Sequence, residues 1–355
     1  MTARSVTLDD VARLAGVSYQ TVSRVLNHSA QVSPRTRARV EAAMQQLSYV
    51  PNRVAQQLAG KATRTLGLAT SDLALMAPAQ IASAIQQRAA AQGYHLVIAM
   101  ANATSHAQDT VRELLAQRVD ALLINLPLDA AQAAQIQQQC GSKPTLFLDV
   151  ERSAAVAQCQ YRSTSGAQQA VDHLVALGHR QIGVLNGPAS SASARARFSA
   201  WQQALARHQL VPDCVLSGDW SAASGYQALL TRLPDQLPQA LLVANDQMAL
   251  GAMRALHQHG VQIPAEMSII GYDDTAESAW YQPPLTTVRQ DLQQLGTVSV
   301  DRLLAQLEGE IPDSQPLETE LVLRATTAAP LQQQVDVAEI AQQLQQLARA
   351  LKRSP

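Results

Sequence analysis

Apolar residues in the first fifty positions recur at helical spacing. Leu8, Val11, Ala12 and Ala15 form one stripe, Val22, Val25 and Leu26 a second, and Val40, Ala43, Met44 and Leu47 a third. Each is the pattern that an amphipathic helix turns toward a core. Polar residues punctuate these stripes. Thr7 with Asp10 three residues later makes a capping-box start, Gly16 supplies a turn, Ser18 can cap the second helix, and Ser33 followed by Pro34 opens the third. From about residue 64 the pattern changes. The apolar runs TLGLAT, YHLVIAM, ALLINL and TLFLDV alternate with helical stretches at 79–92, 106–117 and 130–140, and the rhythm returns in QIGVLNGP, CVLSGDW, ALLVAND and MSIIGYDD. Buried strands separated by helices predict two doubly wound parallel-sheet units. A last stripe, Val337, Ile340, Leu344, Leu347 and Leu351, follows the linker TTAAPLQQQ with spacings of three and four. It fits a coiled-coil seam, and equally an amphipathic helix folded onto the body.

These patterns divide the chain into a helical head (1–49), a hinge helix and linker (50–62), an α/β core (63–329) and a linker with a C-terminal helix (330–355). With 355 residues, 47% of them hydrophobic, there is enough apolar surface for more than one core. Cys140, Cys159 and Cys214 are odd in number and lack CxxC spacing, which argues against a disulfide framework or a zinc site and for a reducing compartment. The N-terminus has no apolar signal-peptide core, and no run reaches about 18 apolar residues, so a cytoplasmic protein without membrane contact is expected. Net charge is −1, unevenly shared. Nine of the 27 basic and three of the 28 acidic side chains fall in residues 1–64, a net of +6, which leaves −7 for the remainder. Only the head is suited to a polyanion.

Three short helices with a Gly-containing turn between the first two describe a helix-turn-helix. The second would present Tyr19, Gln20, Ser23, Arg24 and Asn27 outward, and such a helix can enter the major groove of DNA. Gln20 can pair with adenine and Arg24 with guanine, each bidentately. Thr21, Asn27, Ser33 and the Arg35, Arg37, Arg39 cluster suit phosphates, which position without specifying. The same side chains could be the solvated face of a protein-docking module, although caps, turn and basic charge together favour DNA. In the hinge, Pro51 stops what precedes it, Asn52 can cap, and 53–59 can make two helical turns, too short to be ordered without a partner. Leu58 there is either a core residue or an apolar wedge between base steps.

Polar residues stand at four strand ends of the body. Asn125 follows ALLI, Asp149 follows TLFL, Asn245 and Asp246 follow LLVA, and Asp273 and Asp274 follow IIGY. Ligands bind in open α/β sheets at the carboxyl ends of strands, and amides and carboxylates suit adjacent sugar hydroxyls. Arg197 adds a donor fork and Trp220 a flat apolar face for a pyranose. Taken singly, each acid is also a plausible helix cap and Trp220 a core residue; the fourfold recurrence favours a site. There is no GxGxxG after a strand, GxxxxGK[ST], GxSxG or HExxH, and the eight His residues have no ligand spacing. No enzyme, cofactor or metal is therefore expected, although Asp149 and Asp273 could pass for a glycosidase pair. A sugar-binding transport component would share the body, would not need the head and should carry an export signal.

The segments VTLDDVARLAGVSYQTVSRVLN, VSPRTRARVEAAMQQLSYVPNRVAQQLAGK, GLATSDLALMAP, LVANDQMALGAM and GYDDTAESAWYQPPLTTVRQD, spread over nearly the whole chain, resemble the LacI/GalR family. The resemblance implies a periplasmic-binding-protein-like core and a transcriptional repressor, a homodimer or homotetramer, that leaves its near-palindromic operator when a sugar binds. It implies a DNA-facing set that adds Thr7, Ser18, Gln31, Thr36 and Gln56 to the residues above, with Asn52 and with Leu58 as the wedge, and tetramerisation through the tail. It also implies an inducer site of Leu75, Ala77, Pro78, Asn125, Leu148 and Asp149 on one side and Ser191, Ser193, Arg197, Trp220, Asn245, Gln247 and Asp273 on the other, with Leu292 and Leu295. The implied inducer is a β-galactoside such as allolactose. Leu292 and Met76 depart from the matched pattern, which has Phe and His there, so one ligand-facing wall is reshaped; in the head, Gln31 also stands where that pattern has a His.

Overall fold

The computed structural model describes residues 6–26, 31–50, 63–101, 106–233 and 237–331. It divides into two compact units, Met1–Thr63 and Arg64–Pro355.

In the first unit, helices α1 (Leu8–Ala15), α2 (Tyr19–Leu26) and α3 (Pro34–Gln46) form as the caps predict. The Thr7 backbone N–H donates to Asp10 Oδ2 at 3.0 Å while the Asp10 N–H donates to Thr7 Oγ1 at 3.3 Å, so the capping box is closed in both directions. Gly16 ends α1 in the left-handed region at φ +62°, and a Cβ there would lie 2.8 Å from Arg39 Nη2. Thr21 N–H donates to Ser18 Oγ and Thr36 N–H to Ser33 Oγ, both at 3.2 Å. Val11, Val22 and Val40, one from each helix, are fully buried and meet in a small common core.

The second unit holds two sheets. The first contains β1 (Thr65–Thr70), β2 (His95–Met100), β3 (Ala121–Asn125) and β4 (Thr145–Phe147) in the order β2-β1-β3-β4, all parallel. Between these strands run α4 (Met76–Ala91), α5 (Ala107–Ala116) and α6 (Ala130–Cys140). The second sheet contains β5 (Ile182–Asn186), β6 (Val215–Ser217), β7 (Ala240–Val243), β8 (Ser268–Asp273), β9 (Thr286–Arg289) and β10 (Glu320–Val322), ordered β10-β9-β8-β7-β5-β6. Its helices are α7 (Ser163–Ala176), α8 (Ala192–Arg207), α9 (Ala222–Leu230) and α10 (Asp246–Gln258).

The parallel rhythm is as expected, with three differences. First, β10 pairs antiparallel with β9, and neither belongs to a run that the pattern singled out. Second, YHLVIAM and CVLSGDW form edge strands with solvent-facing positions, whereas every residue of β1, β3, β7 and β8 is buried. An edge strand has a neighbour on one side only, and apolar composition alone does not reveal which runs lie there. Third, the chain returns to the first sheet late. Helix α11 (Leu292–Leu307) places Leu292, Leu295, Val300 and Leu303 in one core with Leu66, Leu68, Leu123 and Leu146. Its Gly296 permits this packing, since a Cβ would lie 2.5 Å from Ala84 Cβ of α4. The first sheet therefore takes a helix from chain that follows β9 of the second, and the connections between them, around residues 148–162, 290 and 308–319, run side by side. Tyr161 bridges in parallel to Leu317 and donates its hydroxyl to the Asp291 carbonyl at 2.5 Å.

Candidate functional site

On the head, core packing of Val22 and Val25 turns the opposite side of α2 outward. Tyr19 is 51% exposed, and Ser18, Gln20 and Arg24 are also exposed, with Thr21 and Ser23 half-buried beside them. Thr7, Gln31 and Ser33 are exposed and Thr36 is half-buried. Ser18 and Ser33 are also helix caps, their hydroxyls lying 2.9 Å from those of Thr21 and Thr36. The arginine cluster divides. Arg35 is exposed, but Arg37 Nη1 donates to the Val25 carbonyl at 3.4 Å and Arg39 Nη2 to the Ala15 carbonyl at 2.5 Å. Those two guanidiniums satisfy carbonyls at the C-terminal ends of α2 and α1, a structural role beside the phosphate role expected from charge. Asn27, Asn52, Gln56 and Leu58, with Val337, Ile340, Leu344, Leu347 and Leu351 of the tail, lie outside the described residues.

In the second unit a cavity of about 300 Å³ opens between the carboxyl ends of the two sheets. Leu75, Ala77 and Pro78 at the start of α4 form one wall, and Asn125, Leu148 and Asp149 lie at or just beyond the ends of β3 and β4. Across it stand Ser191, Ser193 and Arg197 from the start of α8, Trp220 after β6, Asn245 and Gln247 after β7, and Asp273 at the end of β8. Leu292 and Leu295 of α11 close the apolar side. All fifteen residues expected at an inducer site thus line one cavity.

Its polar groups are held before any ligand arrives. Arg197 is 6% exposed; its Nη2 donates to Asp273 Oδ1 at 3.2 Å, and its guanidinium carbon lies 4.2 Å from the Tyr272 ring centre and 5.4 Å from that of Trp220. Its other terminal nitrogen donates to the Ala244 carbonyl. Gln290 Nε2 also donates to Asp273 Oδ1, at 2.7 Å. Burial pushes the Asp273 carboxyl up, against the opposing pull of Arg197 and Gln290. Asp149 is likewise raised by burial, while Ser193 Oγ donates to its Oδ1 at 2.6 Å. Asn245 caps α10 through Met248 N–H and donates Nδ2 to the Trp220 carbonyl at 2.9 Å. Gln247 Oε1 accepts from Met76 N–H at 3.2 Å, a bond between the two halves of the cavity. Trp220 adopts φ +79°, and its indole lies against Gly187, where a Cβ would come within 2.4 Å of the ring.

Of the six polar residues at the strand ends, two turn away. Asp274 pairs with Arg289 at 2.7 Å and Arg324 at 2.5 Å. Asp246 is fully buried and accepts from Ser278 Oγ, Thr287 Oγ1 and Thr275 N–H at 2.5, 2.6 and 3.0 Å. Burial and the nearby Asp273 charge lift its carboxyl to about 7. Sequence reasoning missed Ser71, Ile81, Pro127, Tyr161, Pro188, Ser190 and Gln290. Gln290 follows β9, the strand that the hydrophobic pattern did not single out; Ser190 stands in the Ser-rich GPASSASARAR, read only as a source of hydroxyls. Among the described residues no group of His, Cys, Asp and Glu could hold a metal ion, and no helix is long and apolar enough to cross a membrane.

Residues 7–52 match the profile of "Bacterial regulatory proteins, lacI family" and residues 171–327 that of a "Periplasmic binding protein-like domain". The chain is 49% identical over 354 residues to the lactose operon repressor of Escherichia coli (strain K12), covering 99% of this chain and 98% of that one. The chain belongs to the lacI family of bacterial regulatory proteins. The Klebsiella pneumoniae lactose operon repressor is 44% identical, over 91% of this chain and 93% of its own. The crystal structure of the lac repressor dimer bound to operator and the anti-inducer ONPF superposes with a TM-score of 0.87 at 49% identity, covering 92% of this chain and all of that one. The helix-turn-helix and two-sheet core are thus those of the family.

Proposed function

We propose that this protein is the repressor of a lactose or other β-galactoside operon, gripping a near-palindromic operator through paired heads and released by a galactoside such as allolactose. The observation that carries this reading is the cavity itself. Hydrogen-bonding groups suited to adjacent hydroxyls converge on it with one indole, in a chain whose basic head exposes Tyr19, Gln20 and Arg24 on one side of a helix. The lactose operon repressors it resembles are repressors by name, and binding without turnover is the role assigned here. The work is done in the cytoplasm by a homodimer, joined into a homotetramer by the tail.

Release is a population shift. The sugar binds more tightly to an arrangement of the body in which the two heads no longer match the two half-sites; a ligand with equal affinity for both arrangements would shift nothing. The cross-cavity bonds, Ser193 to Asp149 and Met76 to Gln247, are where bound sugar can favour one arrangement. A mobility-shift assay on a lac-type operator, with and without methyl β-galactoside, tests the reading. Retardation abolished by the sugar, with the sugar recovered unchanged, is the expected result; a cleaved sugar would point to a glycosidase. Repression of another sugar's operon is the second reading, favoured by Leu292, which lies in the apolar wall at a position that departs from the matched pattern. Release by a different sugar and not by galactosides would establish it.

A further inference from the structure

A second cavity, of about 430 Å³, lies back to back with the first. Leu148, Asp149, Tyr161, Ser193, Arg197 and Gln290 line both. The rest of it is built from the connecting segments 148–153 and 160–164 on one side and a face of α8 on the other. Along that face Ala192, Ala196 and Ala200 recur every four residues, and their small side chains leave the space open. Ser199 and Gln203 of the same helix and Gln160 opposite offer hydrogen bonds.

The lining selects a different ligand from that of the first cavity. Trp220 is not part of it, so there is no indole for a sugar face. Cations replace it. Arg197 is engaged by Asp273, and Arg195 by Glu151 at 2.7 Å. The shared Asp149 carboxylate faces Arg197 and Arg195 and accepts from Ser193. Arg152 lines the cavity, donates Nη2 to the Tyr161 carbonyl at 2.8 Å and forms no ion pair among the described residues. A guanidinium so placed, with further donors to spare, matches an oxyanion. The hydroxyls and amides beside it match a hydroxylated skeleton, and the volume falls within the range of small-molecule sites.

We propose that this cavity is a second effector site for a sugar phosphate of monosaccharide size, coupled to the first cavity through the shared Asp149–Ser193 wall. The binding part stands whatever sugar the first cavity takes, while the coupling part rests on the galactoside reading. Coupling of this kind is reciprocal, so each ligand changes the affinity of the other by the same factor.

Calorimetry of the full chain with glucose 6-phosphate, glucose and inorganic phosphate, each with and without saturating methyl β-galactoside, tests both parts. Glucose 6-phosphate should bind saturably, and tighter than either other probe. Ala196→Phe and Arg152→Ala alter exposed positions, so folding is preserved; each should weaken binding at least tenfold, whereas Trp220→Ala should not. No saturable heat at millimolar glucose 6-phosphate would overturn the site. So would binding that survives Ala196→Phe but disappears in Trp220→Ala or under saturating galactoside, because the compound would then occupy the first cavity. Inorganic phosphate binding as tightly would overturn the sugar-phosphate assignment. A severalfold change in galactoside Kd at saturating glucose 6-phosphate supports the coupling, and an unchanged Kd refutes it. If methyl β-galactoside itself fails to bind, the galactoside reading fails while the glucose 6-phosphate measurements still decide the site.

Discussion

On the proposed function, individual side chains divide the labour between duplex and sugar. Arg24 is exposed on the outer side of α2, where a guanidinium can hold guanine bidentately. Arg24→Ala should cost about 1–3 kcal/mol of discrimination at one base position, read as converging affinities for the operator and a single-base variant; an unchanged ratio would assign Arg24 to phosphate. Asp273→Ala should leave operator binding intact and abolish release by sugar, because it removes the acceptor shared by Arg197 and Gln290. Loss of DNA binding instead would contradict that division. Asp246 carries a pH effect. Its carboxyl titrates near 7 in the fold, above the ordinary carboxylate value, so the folded state holds the proton more tightly than the unfolded chain. Its stabilising share is complete below about pH 4 and is lost as pH rises through 7. Denaturant titrations at pH 5 and pH 8 should show the parent chain losing roughly 2–3 kcal/mol relative to Asp246→Asn; parallel curves would rule this out. At this scale residue type told much. Asn125, Asp149, Asn245 and Asp273 were legible as polar groups ending apolar runs, but Asp246 and Asp274 have the same signature and face elsewhere, because strand-end position does not fix the direction of the next side chain.

Elements formed where local chemistry was strong. The caps at Thr7, Ser18 and Ser33 and the left-handed Gly16 are short-range interactions, so the sequence determines them without reference to the rest of the chain. β9 and β10 are four and three residues long, and their pairing depends on chain brought from far away. Helix α11 has an apolar stripe that any core could have accepted; the close approach at Gly296 commits it to α4. Gly296→Val should therefore overpack the α4–α11 contact by about 1–3 kcal/mol or more, lowering the midpoint of thermal unfolding. A variant as stable as the parent would mean that the helices separate without penalty.

For the whole molecule, charge and assembly set the behaviour. The head's net +6 implies phosphate neutralisation, so operator affinity should fall steeply and log-linearly with salt. Truncation after Pro330 should leave dimers by light scattering, and a persistent tetramer would place that contact outside the tail. Periodicity, caps and charge in the sequence alone determined a helical head, a parallel α/β body and a site at the strand ends, because each follows from interactions a few residues apart. Only the tertiary structure decided which strands lie at sheet edges, that α11 packs against α4, that Asp246 and Asp274 turn away from the first cavity, and that a second cavity backs onto the same wall. Those outcomes depend on contacts between residues a hundred or more positions apart, such as Gln247 with Met76 and Tyr161 with Asp291, and no local pattern encodes them.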